Sequence, residues 1–277
     1  MRRRNGWAVL TLALLTACGS GRHEATPPVV KSPVDVFGVG IAVYAPPDAF
    51  GGTFAGGPSA VRPGAALAVY GDSLTVQASD YLTALARYGG RRLLSGWRSG
   101  SALCDWVGDI RTVLVEARPT DLVLGFAGNV AECTGALTGD ALGRVYERDA
   151  RLVVALAAKV GTHVVLVGPP DMRPGDFARR SAGVRRAFAR VARGRRDVDY
   201  VDSRDALSPD GYSATLGCAS FETAALGCRS GEITVRAADG VHWAQPNVHG
   251  YSGGAWRWAK VMMSEIKPAP TSLAAHD

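Results

Sequence analysis

The sequence predicts an α/β fold, a three-layer α/β/α sandwich around a central parallel sheet of five strands. Short apolar runs alternate with longer helical segments between Leu67 and Ile266, the pattern of a parallel sheet covered on both faces. Gly and Pro punctuate the ends of those runs. The length beyond Leu67 suits one domain with a sizeable core, and no internal repeat or second domain is visible.

Taken in order, Leu67–Tyr70 is an apolar run stopped by Gly71 and reads as the first strand, with a helix from about Leu74 to Arg87. Arg92–Leu94 is a short second strand, and Trp106–Ala117 a helix. Leu122–Phe126 gives the third strand, and a long helical segment covers about Gly139 to Val160. His163–Val167 is the fourth strand, closed by Gly168-Pro169-Pro170. Asp176–Arg193 reads as helix, Val198–Val201 as the fifth strand, and about Ser252 to Ile266 as the closing helix. Ligand sites in such sheets lie beyond the carboxyl ends of the strands, so chemistry is expected there.

The chain begins with Arg2, Arg3 and Arg4 ahead of an apolar run from Trp7 to Ala17, the charge-then-apolar order of a secretory leader. That run is too short to span a bilayer as a mature helix. Leu15-Thr16-Ala17-Cys18 resembles the bacterial lipobox, which implies cleavage before Cys18 and lipid on its sulfur and new amino group; an ordinary signal peptide is the alternative. The expected organisation is a leader at 1–17, then lipidated Cys18 and a Pro/Gly-rich linker to 63. Within that linker Val34–Tyr44 is apolar enough to pack on the domain. The folded domain occupies 64–267 and a tail 268–277. The implied location is exported, in the cell envelope, anchored by lipid on the outer side of the cytoplasmic membrane.

Losing the leader removes three arginines and no acids, lowering the formal charge of +6 to about +3, too little to argue for nucleic acid. Basicity concentrates in the helix after Asp176, where Arg179, Arg180, Arg185, Arg186, Arg190 and Arg193 are expected mostly on the solvated side; a patch resting on anionic lipid or envelope polymer is the minority reading. With Cys18 assigned to lipid, Cys104, Cys133, Cys218 and Cys228 form an even set that allows three pairings. Their spacing lacks a close CxxC or a nearby histidine pair, so no metal is expected. No nucleotide or flavin signature appears, and no cofactor is expected. His163 and His249 show no partner in the sequence.

Two short patterns carry chemistry. Gly71-Asp72-Ser73-Leu74 presents a serine on a tight strand-to-helix turn, although a serine there can also simply cap the helix. It is not a GxSxG elbow, because Thr75 stands at the later glycine. Asp239-Gly240-Val241-His242 places a carboxylate three residues before an imidazole, a spacing that lets Asp239 hold one ring nitrogen while the other faces the serine.

In this order the blocks resemble those of the SGNH (GDSL) hydrolase family, whose flavodoxin-like fold matches the pattern above. The resemblance spans most of Leu67–Ile266. Its glycine block maps to Gly100 in Arg98-Ser99-Gly100-Ser101. Its asparagine block maps to Asn129 in Phe126-Ala127-Gly128-Asn129-Val130, where the family's GxND has Ala127 at its glycine and Val130 at its aspartate. The resemblance implies Ser73, Asp239 and His242 as catalytic residues. It also implies an oxyanion hole from the amides of Ser73 and Gly100 and the side chain of Asn129. Cys104 and Cys133 each follow one of these loop residues by four, which favours a bridge between them that holds the donors in place. Cys218–Cys228 then closes a loop before Asp239.

The chemistry implied is attack of Ser73 on an ester carbonyl, an acyl-serine intermediate, and release by water or by a sugar hydroxyl. Small O-acyl groups on envelope or extracellular glycans are the leading substrate. A lipase or short-chain esterase, or an O-acyltransferase, is the alternative on the same triad, and a non-catalytic glycan-binding lipoprotein is the alternative without chemistry. Trp106, beside Asp105, and Trp243 are expected to shape a sugar-binding rim.

Overall fold

A computed structural model describes residues 65–247 and 250–266. The leader, Cys18, the linker with Val34–Tyr44, His249 and the tail lie outside the described residues. Within them the elements run β1 (Ala66–Gly71), α1 (Ser73–Gln77), α2 (Ser79–Tyr88), β2 (Arg92–Trp97), α3 (Val107–Glu116), β3 (Asp121–Gly125), α4 (Gly139–Val160), β4 (His163–Gly168), α5 (Asp176–Ala192) and β5 (Val198–Asp202). A short helix α6 (Arg204–Leu207), a hairpin of β6 (Thr215–Gly217) with β7 (Glu232–Thr234), and α7 (Gly253–Met263) complete the fold.

The sheet has five parallel strands in the order β2-β1-β3-β4-β5. Its three inner strands are nearly uniform apolar runs because helices cover both faces, and β1 and β3 are buried along their whole length. The edge strands β2 and β5 are mostly part-exposed. Alternation of side chains along each strand divides the core in two. Leu67, Val69, Val123, Val165 and Val167 pack with Leu82, Trp256 and Trp258 of α2 and α7. Ala68, Tyr70, Leu122, Leu124, Val164 and Leu166 pack with Ile110, Tyr146 and Phe188 of α3, α4 and α5. Helices α4 and α5 approach through two glycines: a Cβ on Gly183 would stand 2.3 Å from Gly139 O, and one on Gly143 would stand 2.8 Å from Gly183 O.

The three-layer fold matches the expectation, with three local differences. The first helix breaks at Ala78, whose amide bonds back to Thr75 O at 3.1 Å, so α1 is a separate short element carrying Ser73. Strand β2 runs on to Trp97 because it pairs with β1 as far as Gly71. The stretch from Leu207 to Asp239 holds a two-stranded antiparallel hairpin that no periodicity announced. No helix among the described residues is long and apolar enough to cross a membrane.

Candidate active site

The first strand ends in a turn that only glycine fits. A Cβ at Gly71 would lie 2.1 Å from Thr75 Oγ1 and 2.6 Å from Gly125 O. Thr75 Oγ1 donates to Gly125 O at 3.0 Å, so the residue standing where an elbow would have its second glycine ties α1 to the end of β3. Asp72 caps α1, its Oδ1 accepting from Leu74 N at 3.1 Å. Ser73 is therefore the first residue of the helix, in the turn whose amides lack intrahelical acceptors.

The second half of the site is a turn folded by its own carboxylate. Asp239 Oδ1 accepts from the amides of Val241 at 2.8 Å and His242 at 3.0 Å, and Ala237 N donates to His242 O at 2.9 Å. Gly240 sits at φ +74°, a conformation that favours glycine. The next residue fastens the turn to α1: Trp243 N donates to Gln77 Oε1 at 3.0 Å, and the buried indole N–H donates to Leu74 O at 3.0 Å. Beneath the turn the buried Arg236 stacks on Trp243, 4.2 Å from its ring centre, and donates to Val241 O at 2.6 Å and Asp171 O at 3.3 Å. Burial pulls this guanidinium down to about 10.

These two pieces bring three side chains into line. His242 Nε2 lies 3.0 Å from Ser73 Oγ, and His242 Nδ1 lies 2.6 Å from Asp239 Oδ2. Desolvation works to raise the Asp239 carboxyl, but the ring N–H and the two turn amides outweigh it and hold the group at about 2. Asp239 is thus an anion throughout the neutral range, able to fix the imidazole orientation and stabilise its cation. A serine hydroxyl hydrogen-bonded to an imidazole so oriented is an activated nucleophile.

Gly100 and Asn129 lie on the loops after β2 and β3. Gly100 adopts φ +77°. Gly128 adopts φ +103° and passes so close to α5 that a Cβ would stand 3.0 Å from the Arg180 carbonyl carbon. Ser181 Oγ donates to Ala127 O and Tyr146 Oη to Asn129 O, pinning the loop from both sides. Asn129 Nδ2 donates to Asp72 Oδ2 at 3.1 Å and approaches Ser101 O at 3.3 Å. Both of its hydrogens thus have acceptors on the neighbouring loops.

Asp72 is the residue that sequence reasoning passed over. It is fully buried, and its Oδ2 also accepts from Ala127 N at 2.6 Å. Desolvation raises its carboxyl to about 6 against the opposing pull of the Ala127 and Leu74 amides and the His242 charge. The only signal was its place inside the GDSL block. Asp72 N-caps the helix that carries Ser73 and anchors the asparagine loop with the same carboxylate.

Cys104 bonds Cys133, and Cys218 bonds Cys228. The first bridge joins the loop of Gly100 to that of Asn129. Two expectations about aromatic and histidine residues change. Trp243 is fully buried against α1 and cannot form a rim, whereas Trp106 is half-buried and donates to Ser101 Oγ at 2.9 Å. His163, which showed no partner in the sequence, lies between Asp121 at 3.1 Å and Asp199 at 2.9 Å at the amino-terminal side of the sheet. Among the described residues no group of three or more His, Cys, Asp or Glu could hold a metal ion.

A family model described as "Protein of unknown function (DUF459)" matches residues 66–248, which runs from β1 through Asp239 and His242. The chain belongs to the DUF459 family. None of the curated proteins matches this DUF459 chain in sequence. Among solved structures, a variant of Axe2, an acetyl-xylooligosaccharide esterase from Geobacillus stearothermophilus, is similar with a TM-score of 0.50 and 16% identity, covering 75% of this chain and 97% of that one. An alpha/beta hydrolase enzyme from the metagenome of Lake Arreo, Spain, gives 0.49 and 17%, covering 73% and 94%. A lipase/acylhydrolase from Enterococcus faecalis gives 0.46 and 14%, covering 74% and 99%. This DUF459 member has the SGNH hydrolase fold.

Proposed function

We propose that this chain is a serine ester hydrolase in which Ser73 is the nucleophile, His242 the general base and acid, and Asp239 the residue that orients the ring. The observation that carries it is the unbroken line from Asp239 Oδ2 through both ring nitrogens to Ser73 Oγ, with contacts of 2.6 and 3.0 Å. His242 takes the hydroxyl proton as Ser73 attacks the carbonyl carbon, then gives it to the departing alcohol. Water, activated by the same ring, releases the acid from the acyl-serine.

The developing oxyanion is stabilised by the amides of Ser73 and Gly100 and by Asn129. In this reading Asn129 keeps its bond to Asp72 and gives up the longer contact to Ser101 O in favour of the substrate oxygen. The substrate is a small acyl ester, foremost an O-acyl group on an envelope or extracellular glycan. A fold relative described as an acetyl-xylooligosaccharide esterase supports that choice, as does the half-buried Trp106 beside the Gly100 loop. Export and lipidation at Cys18 belong to the same proposal and rest on the leader and lipobox. Cys18→Ser should release the protein from membranes.

The test is a panel of p-nitrophenyl acyl esters and acetylated glycans, with wild type and Ser73→Ala side by side. The reading requires turnover that the mutant loses. Equal rates in both proteins would overturn it.

A further inference from the structure

Helix α5 contains five arginines, and four of them are neutralised. Arg179 pairs with Asp176, Arg185 with Asp171 at 2.8 Å, Arg186 with Asp140 at 2.6 Å and Arg190 with Glu147 at 2.8 Å. Arg180 makes no ion pair among the described residues, and its Nε is buried without a hydrogen-bond partner there. Arg236 and Arg257 share a buried, unpartnered Nε, but their terminal nitrogens are bonded to main-chain or carboxylate oxygens. Arg180 instead lies over the ring of Phe177, 4.9 Å from its centre.

It lies beside the Asn129 loop. The Arg180 backbone touches Gly128, next to Asn129. Its charge acts on the Tyr146 hydroxyl, the group that donates to Asn129 O and that also feels Asp72. A second such cation lies a few residues earlier, in the connection from β4. Arg173 N donates to Gly240 O at 3.1 Å, and its side chain packs on Gly240 between Asp239 and His242. The exposed guanidinium lies over Tyr212, 5.7 Å from the ring centre, with Nη2 at 3.3 Å from the phenol oxygen. Arg173 likewise makes no ion pair among the described residues. Across the site, Arg98 stacks on Trp106 but has Asp105 at 3.6 Å.

The β4–α5 segment therefore presents two uncompensated guanidinium groups, one beside the Asn129 loop and one beside the His242 turn, each backed by an aromatic ring. Planar guanidinium donors match carboxylate and phosphate oxygens, and an aromatic ring beneath them limits the orientations they must give up on binding. Resting on the ester-hydrolase reading above, we propose that Arg173 and Arg180 select substrates that carry an anionic oxyacid group close to the ester, so that the favoured substrate is an acylated acidic sugar rather than a neutral one.

The test compares acetate release from three acetylated sugars: methyl glucoside as the neutral case, methyl glucuronide as the carboxylate, and glucose 6-phosphate as the phosphate. Wild type should favour at least one anionic ester over the neutral one by about tenfold or more in kcat/KM, in line with charge-assisted hydrogen bonds. The carboxylate and phosphate arms show which oxyacid it is. Arg180→Gln and Arg173→Gln should each bring that ratio towards one, and raised salt should shrink it in wild type. Arg186→Gln, far along α5 on Asp140, should leave the ratio as it is. Equal turnover of neutral and anionic esters by wild type, or a preference that survives both substitutions, would overturn the inference while leaving the ester hydrolase standing. Failure to turn over any ester would remove both.

Discussion

Asp72 Oδ2 accepts from the side-chain amide of Asn129 at 3.1 Å while Asp72 Oδ1 accepts from Leu74 N, so one buried carboxylate couples the helix bearing Ser73 to the loop bearing Asn129. Much of the site's geometry follows from that coupling. Asp72 acts in structure and not in bond making, which makes its signature a stability effect as much as a kinetic one.

The raised Asp72 carboxyl gives a signed prediction. Its pKa moves from 3.8 to about 6 on folding, so between those values the folded state binds more proton than the unfolded one. Folding stability from this group then falls as pH rises through that window. Asp72→Asn, which cannot ionise, should gain stability relative to wild type between about pH 4 and pH 6. Urea denaturation midpoints of both proteins across that range check it; parallel curves would contradict it.

Asn129→Ala should lower kcat by roughly 10²–10³ with KM little changed, the usual effect of losing a side-chain oxyanion donor. Steady-state kinetics on a p-nitrophenyl ester measure both constants. A change confined to KM would assign Asn129 to substrate binding.

The Cys104–Cys133 bridge joins the Gly100 and Asn129 loops across a sequence separation of 29, and removing it acts on donors before it acts on the sheet. Cys104→Ala with Cys133→Ala should cost roughly tenfold or more in kcat, since small misplacements of donors are expensive. Stability should fall by about 3–4 kcal/mol from the freed loop. Turnover and far-ultraviolet circular dichroism recorded on the same sample separate the two effects.

Gln77 and Trp243 fasten the His242 turn to the helix of Ser73, because Gln77 Oε1 accepts from the amide of the residue after His242. Gln77→Leu leaves that amide without its acceptor and should cost about 1–3 kcal/mol. It should lower kcat more than it raises KM. Thermal unfolding and kinetics on the variant check both statements.

The sheet was legible because buried parallel strands are written as apolar runs, and β3 and β4 differed from expectation by only a residue or so at their ends. Ser73, Asp239 and His242 were legible from two contiguous blocks whose spacing fixes local geometry. The break at Ala78 was not, since the apolar pattern runs through it while the Ala78 amide turns back to Thr75 O. The burial of Trp243 and the pairing of His163 were hidden too: a tryptophan reads alike in a core and on a rim, and a histidine's carboxylates lie on other strands. Asp72 was visible as a letter, but its role needed the proximity of Ala127 and Asn129. The arginines of α5 read as a solvated face, and Arg179, Arg186 and Arg190 are exposed while Arg185 is not; only the fold shows that Arg180 meets the Asn129 loop.

The central claim is that the hydroxyl at 73 is a nucleophile activated by the ring at 242. Its most direct measurement is the rate at which a fluorophosphonate labels the protein, with the adduct located by peptide mass spectrometry. Modification should map to Ser73 in wild type and slow by orders of magnitude in His242→Ala. Labelling elsewhere, or at an undiminished rate without the imidazole, would contradict the account.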